Sequence, residues 1–451
     1  MSNNNKLFRY SIVAALAGFI FGFDTVVISG ANLPIRELWH TTPLFHGFFI
    51  MSMALWGTVI GAMFGGIPTE KYGRKKVLLW VGILFSFSAI GTAIAPSPYI
   101  FSFFRFVGGL GIGASSVVAP TYISEISTAK TRGRLVGMYQ FNIVFGILVA
   151  FVSNFFLKGF DGTNDWRWML GVLGIPSLIY TIMVMSVPES PRWLITMKNN
   201  ISAARDTLLK IGADNPEEEI KNIIAANESI HASAMKETIF KPKYKTVLWL
   251  AFLVAFFNQL SGINFILYYA PEILERAGIA GKDSLFNSIS IGGINLIFTF
   301  VGLYLIDRIG RKQLLIIGSL GYIISLAMVA YSFYSHGSNL FLMTSLLMFI
   351  ASHAIGQGAI IWVFISEIFP NNVRALGQSF GCSVHWIFAA LITLITPVFL
   401  DAKTGIFKDN PWPIFAFFSF MMVLQLVWTL TKMPETKGVS LEDLEKKLIH
   451  E

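Results

Sequence analysis

Charge is scarce in this chain. Only 13% of its 451 residues are Asp, Glu, Lys or Arg, against about 25% in a typical soluble protein. Cysteine is nearly absent. Cys382 is the single one, so no disulfide framework forms within the chain. There is no His/Cys spacing suited to a metal and no Gly-x-x-x-x-Gly-Lys-Ser/Thr phosphate loop, so no resident metal, no cofactor and no ATP hydrolysis are expected. No constellation for enzyme catalysis is found. What is abundant is apolar: 54% hydrophobic, 14% aromatic, with 41 Phe and 39 Gly. That mixture suits a chain whose main solvent is lipid. The net charge of +8 raises the possibility of a nucleic-acid binder. The basic residues, however, sit in short loops between apolar runs, as on a cytoplasmic membrane face, and no nucleic-acid partner is expected.

A helix needs about 20 mostly apolar residues to cross a bilayer. Twelve runs qualify: 10–33, 46–67, 77–95, 98–123, 134–157 and 167–187, then 246–273, 286–306, 313–334, 340–365, 376–399 and 412–432. The first run includes Ile12 to Ile28, which mimics a signal peptide. It contains Asp24, and no small-residue cleavage site with a polar start follows it, so it reads as a retained span. The expected fold is an all-α integral membrane protein of two pseudo-symmetric six-helix bundles. The expected division is 1–187 for the first bundle, 188–245 for a linker, 246–433 for the second bundle and 434–451 for a tail. Within the linker, Ile201 to Ile211 has apolar residues at helical spacing, which predicts short amphipathic helices at the membrane face.

Basic residues cluster after alternate spans: Lys71, Arg74, Lys75 and Lys76; Lys130, Arg132 and Arg134; Arg308, Arg311 and Lys312; and Arg374. The opposite loops are poorer, with Arg36, Lys158 and Lys282. Positive loops face the cytoplasm, so both termini are expected there, in a multi-pass protein of the cytoplasmic (inner) membrane. The halves also repeat. Glu70-Lys-Tyr-Gly-Arg-Lys75 matches Asp307-Arg-Ile-Gly-Arg-Lys312. Glu125 with Arg132 matches Glu367 with Arg374, and Pro188-Glu189-Ser190 matches Pro434-Glu435-Thr436. Three motifs in one order at a nearly constant offset of about 240 residues mark a duplicated bundle. Parallel repeats of this kind belong to transporters that rock two halves about a site between them.

These motifs, with Pro188-Glu-Ser-Pro-Arg-Trp193, Gln259, Gly262-Ile-Asn264 and Pro434-Glu-Thr-Lys-Gly438, resemble the sugar porter family of the major facilitator superfamily over nearly the whole chain. The resemblance implies monosaccharide import by proton symport through alternating access. Two positions depart from the family pattern. Span 10 reads Gly358-Ala-Ile-Ile-Trp362 where the family has Gly-Pro-x-x-Trp, and Glu70 replaces the usual Asp.

Asp24 is the sharpest single signal, because a charge inside an apolar span is costly and functional by default. Arg105, in span 4, is the expected partner. Burial raises a carboxyl pKa and a nearby cation lowers it, so this pair can trade a proton as access alternates. The competing reading is a permanent structural ion pair. The resemblance supports coupling, since the family's symporters carry the acid where its facilitative members typically carry Asn. Sugar recognition needs amides for hydroxyls and aromatic faces for the ring. By resemblance, Gln259, Asn264, Gln140 and Asn295 hold hydroxyls, with Asn258 where many members have a second Gln. Gln259 and Asn264, five positions apart, would point about 140° apart on an unbroken helix; a break near Gly262 brings them together. Phe21, Trp362 and Trp386 are expected as pocket walls. His385 stands where relatives carry an amide and serves either as a hydroxyl partner or as a packed residue. Tyr268 and Tyr269 resemble the family's outer gate. Glu125, Arg132, Glu367 and Arg374 occupy equivalent loop ends and are expected to pair across the halves when the inner side is shut.

Three alternatives stay open: a proton-independent sugar uniporter, against which Asp24 argues, a non-transporting sugar sensor, and a porter for a polyol or another organic solute. The expected partners are a monosaccharide, protons and the lipid bilayer, with the chain acting as a monomer. Nothing in the sequence selects among xylose, arabinose, glucose and galactose.

Overall fold

The computed structural model describes residues 3–449 apart from 129–130, 214, 234–237, 280, 371–372 and 440. Lys130 of the basic loops therefore lies outside the described residues. Among the described residues, eleven helices are long and apolar enough to cross a membrane, and a bent pair, taken as one span, makes a twelfth. In chain order the first six are Lys6–Trp39, Pro43–Met51 with Met53–Phe64, Arg74–Ile94, Pro98–Ile126, Arg132–Leu157 and Gly162–Met185. Spans 7 to 12 are Pro242–Arg276, Lys282–Ile309, Arg311–Tyr334, Asn339–Ile368, Arg374–Leu400 and Trp412–Thr431. No strand occurs among the described residues. The protein is an all-α, multi-pass membrane protein of two six-helix halves.

Glycine decides how closely the spans approach. In span 1, a Cβ on Gly22 would lie 1.8 Å from the carbonyl oxygen of Ile143 in span 5. In span 2, one on Gly47 would lie 1.9 Å from the oxygen of Leu394 in span 11. Small residues at such crossings replace the hydrophobic drive that is missing in lipid. Span 2 bends by 43° where His46–Met51 is wound as a π-helix, a common cause of a sharp helix bend. Between the halves, spans 5 and 8 lie alongside each other, with ring centroids 5.3 Å apart for Phe141 and Phe300 and 5.5 Å for Phe155 and Phe286.

Spans 7 and 10 are each broken partway along. Gly262 adopts φ +83°, which splits span 7 into Lys245–Leu260 and Ile263–Arg276. That left-handed conformation is cheap only for glycine. Seven residues further on, the helix kinks at Tyr269, two residues before Pro271, whose ring excludes the carbonyl of the preceding turn. Span 10 breaks at Gly356, between Asn339–Ile355 and Gln357–Ile368. The Ala359 found in place of the usual proline thus does not leave this span straight. The break sits two residues before Gly358, where Gly356 packs against Gly318 of span 9.

The linker holds three helices, Pro191–Thr196, Ile201–Ile211 and Pro216–Ser233. In the second, Ala204, Thr207, Leu208 and Ile211 are buried, the one-face spacing of an amphipathic helix. Asn200 caps its start through a 3.0 Å bond from the Ala203 amide, and Gly212 ends it at φ +83°.

Candidate functional site

The two halves are tied together at the end away from the basic loops. Arg36 of span 1 donates from Nη1 to Glu272 of span 7 at 2.9 Å and to Asp401, just beyond span 11, at 2.7 Å. Its Nη2 reaches the other Glu272 oxygen at 3.1 Å, and Asn32 Nδ2 donates to that oxygen at 2.6 Å. His46 of span 2 lies 2.8 Å from Asn32 Oδ1 through Nε2 and 2.8 Å from Thr41 through Nδ1. Burial pushes the Asp401 carboxyl up, but the Thr404 and Lys403 donors and Arg36 outweigh it, so its pKa lies below the usual aspartate value. Below this network, Tyr269 donates to the Thr393 carbonyl of span 11 at 2.8 Å. Tyr268, its neighbour in span 7, is fully buried.

The sequence reading missed this closure. It placed Arg36 in a loop, whereas span 1 runs on to Trp39. It also singles out Asp24 and Arg105 alone as a charged pair within the spans, whereas Glu272 is 3% exposed within span 7. Arg36 stays helical and mostly covered because two acids from the other half neutralise it. Nothing local in its own half signals that.

Midway along the molecule, aromatic and amide side chains from both halves meet. The Phe21 ring lies 5.6 Å from that of Trp386, which brings span 1 against span 11. His385 sits between the two tryptophans, 4.9 Å from Trp362 and 4.8 Å from Trp386. Gln259 Nε2 donates to Asn258 Oδ1 at 3.0 Å and lies 3.1 Å and 3.2 Å from the two ring nitrogens of His385. Gln259 Oε1 is buried with no partner among the described residues, as a ligand-seeking acceptor would be. Among the described residues, Gln140, Asn264 and Asn295 form no hydrogen bond with this cluster. Asn264 and Asn295 are both buried. The expected break at Gly262 is present, and it separates the helices that carry Gln259 and Asn264.

Asp24 and Arg105 form the expected pair. Nη1 of Arg105 donates to Oδ1 of Asp24 at 2.6 Å, with both side chains about 2–3% exposed. Neither Asp24 Oδ2 nor Arg105 Nε has a partner among the described residues. A single-bonded buried carboxylate is poorly satisfied. Both residues belong to the first half, so the pair can persist whichever way the halves are tilted.

At the basic end the ion pairs stay within each half and repeat almost atom for atom. Arg74 pairs with Glu125 at 2.7 Å, and Arg311 pairs with Glu367 at 2.8 Å. Glu189 accepts the backbone amides of Arg74 and Lys75 at 2.9 Å and 3.1 Å. Glu435 likewise accepts those of Arg311 and Lys312, both at 3.0 Å. Gly73 and Gly310, at φ +96° and +108°, let these carboxylates in, since a Cβ there would lie 2.4 Å and 2.6 Å from them. Burial pushes the Glu189 carboxyl up, against the pull of those amides and of Arg74. Arg132 and Arg374 turn back to the Ser124 and Phe369 carbonyls. Among the described residues, the four residues expected to pair across the halves make no such pair in this arrangement, in which the opposite end is the one that is latched.

A family model described as "Sugar (and other) transporter" matches residues 10–448. The chain is 33% identical over 443 residues to an arabinose-proton symporter of Bacillus subtilis (strain 168), covering 97% of this chain and 94% of the relative. It is 34% identical over 455 residues to a galactose-proton symporter of Escherichia coli (strain K12), covering 99% and 96%. Among solved structures, it superposes on a partially occluded inward open conformation of the xylose transporter of E. coli with a TM-score of 0.84. That match has 29% identity and covers 97% of this chain and 100% of the other. Against the same transporter bound to 6-bromo-6-deoxy-D-glucose the TM-score is 0.79.

Proposed function

The chain belongs to the sugar transporter family, and from that premise we propose that it imports a monosaccharide, a pentose or hexose, together with a proton by alternating access. The observation that carries the coupling is the Asp24–Arg105 pair, buried in the first half with one carboxylate oxygen unpartnered. With the proton off, Arg105 holds the charge in place. With it on, the pair loses its net Coulomb attraction and one strong bond, and reorientation of the loaded halves becomes cheaper. The named relatives, symporters of arabinose and galactose with protons, support the same reading.

The sugar lies between the halves. Gln259, Asn258, Asn264 and Asn295, with Gln140 from the first half, bind its hydroxyls. Phe21, Trp362 and Trp386 cover its apolar faces, and His385, held between the tryptophans, adds a ring nitrogen. Tyr268, Tyr269 and the Arg36–Glu272–Asp401 network form the outer gate. Glu125, Arg132, Glu367 and Arg374 form the inner one, which is unlatched here. With both termini in the cytoplasm, as the basic loops suggest, this arrangement faces inward. The higher TM-score to an inward open relative agrees with that.

The test is uptake into proteoliposomes of radiolabelled xylose, arabinose, glucose and galactose, with and without an imposed pH gradient. Accumulation above equilibrium only with the gradient supports symport. Equilibration that ignores the gradient would establish the uniporter alternative instead.

A further inference from the structure

Gln259 does not stand alone. Its Nε2 donates to Asn258 Oδ1 at 3.0 Å, and Asn258 Nδ2 donates to Gln357 Oε1 at 3.4 Å. Gln357 Nε2 donates to Gln425 Oε1 at 2.7 Å, and Gln425 Nε2 donates to Ser319 Oγ at 2.8 Å. The Ser319 hydroxyl then gives its one hydrogen to the Leu315 carbonyl at 2.7 Å. Four amides on spans 7, 10 and 12 thus form one row, fully buried at its far end, where Gln357, Gln425 and Ser319 are all 0% exposed. The breaks in the spans build it. Gln357 is the first residue after the break at Gly356, and Gly356 packs against Gly318, next to Ser319.

An amide has one end that donates and one that accepts, so each link dictates the orientation of the next. A serine hydroxyl has a single hydrogen. Because that hydrogen goes to Leu315, Ser319 can only accept from Gln425, and the constraint passes back along the row to Gln259. There Nε2 is used by Asn258 and His385, and Oε1 is left as the buried orphan. Turning any amide over would set two acceptors or two donors face to face out of reach of water, at a cost no single surface amide carries.

We infer that this row fixes Gln259 as a hydrogen-bond acceptor towards the substrate, so that the sugar must present a hydroxyl that donates to Oε1, and that Gln357 and Gln425 are positioning residues for that selectivity. The inference rests on the reading that Gln259 holds the sugar. It goes beyond that reading by stating which way the bond runs and what enforces it.

The experiment measures affinities by the fluorescence of Trp362 and Trp386 in purified protein. The probes are D-glucose, D-galactose, D-xylose and L-arabinose with their monodeoxy and monofluoro derivatives. Fluorine in place of hydroxyl can accept weakly but cannot donate. The hydroxyl that meets Gln259 is the one whose removal weakens wild type about tenfold but does not further weaken Gln259→Ala. At that position, wild type should reject the fluoro sugar as strongly as the deoxy sugar. Gln357→Leu cuts the row and frees Gln259 to turn, so the fluoro sugar should gain severalfold over the deoxy sugar at that position alone. Ser319→Ala, which removes only the anchoring hydroxyl, should shift the ratio the same way and carries the test if Gln357→Leu fails to fold. A purely structural role for the row would lower all affinities by one factor and leave the ratio unchanged, and that overturns the inference. So does a wild type in which the fluoro sugar already outbinds the deoxy sugar there. If Gln259→Ala leaves every affinity unchanged, the assignment of Gln259 to the site falls, and the inference falls with it.

Discussion

Gln259 is the residue on which the proposed binding site turns. It sits at the lip of a break in span 7, spends its donor on Asn258 and His385, and keeps an unpaired oxygen in a buried place. Gln259→Ala removes a hydrogen bond to the ligand, a loss of about 0.5–1.5 kcal/mol or somewhat more where a group is left unpaired. Sugar affinity should fall roughly threefold to thirtyfold, with thermal stability changed far less. Calorimetry with the best-bound sugar checks this, and an unchanged affinity removes Gln259 from the site. Gln259 and Trp362 can be singled out in the sequence because each sits inside a motif, and Trp386 through the family resemblance. Gln357 and Gln425 are not legible. They are polar residues in apolar runs, Gln357 just outside the Gly358–Trp362 motif and Gln425 with none near it, and their partners are 99 and 68 positions away. Only the packing of spans 7, 10 and 12 shows that they form a row.

At the scale of the helix, the breaks and the end contacts matter more than the spans themselves. The twelve apolar runs are readable because burial in lipid requires length and hydrophobicity and little else. The break at Gly262 is readable from its glycine between two polar residues. The bend in span 2 and the extension of span 1 to Trp39 are not, because each depends on contacts with the other half. Gly262→Ala would force φ +83° on a residue with a Cβ, 2.8 Å from the Phe418 ring. The backbone term alone is roughly 1–2 kcal/mol. The expected outcome is a lower unfolding temperature in detergent together with weaker sugar binding, since the helices carrying Gln259 and Asn264 meet there. Native-like values for both would show that the break is not needed. At the outer gate, Glu272→Gln removes the charge that holds Arg36 in the closed form. Losing one partner of a buried pair costs about 3–5 kcal/mol, whereas in the opened form water replaces the partner. The population should therefore move towards outward-open. Spin labels on the far ends of spans 1 and 7 would read this as longer distances. A distribution identical to wild type would show that the network is passive.

For the molecule as a whole, one end is latched across the halves and, among the described residues, the other is not. The Arg36–Glu272–Asp401 network joins the halves, while the pairs at the basic end, Arg74–Glu125 and Arg311–Glu367, stay within them. The inner motifs are legible as a repeat because both halves carry them, but which partner each charge takes depends on the tilt of the halves. Between the gates sits the Asp24–Arg105 pair, which belongs to neither interface and can respond to both. The account stands or falls on this pair linking proton movement to sugar movement. The direct measurement is sugar accumulation by Asp24→Asn against wild type in proteoliposomes under a proton gradient, with counterflow exchange measured on the same preparation. Asn matches the protonated acid in shape and neutrality, so exchange should continue while accumulation above equilibrium is lost. If the Asn variant concentrates sugar to the wild-type level, Asp24 is not the coupling site and the mechanism proposed here is wrong.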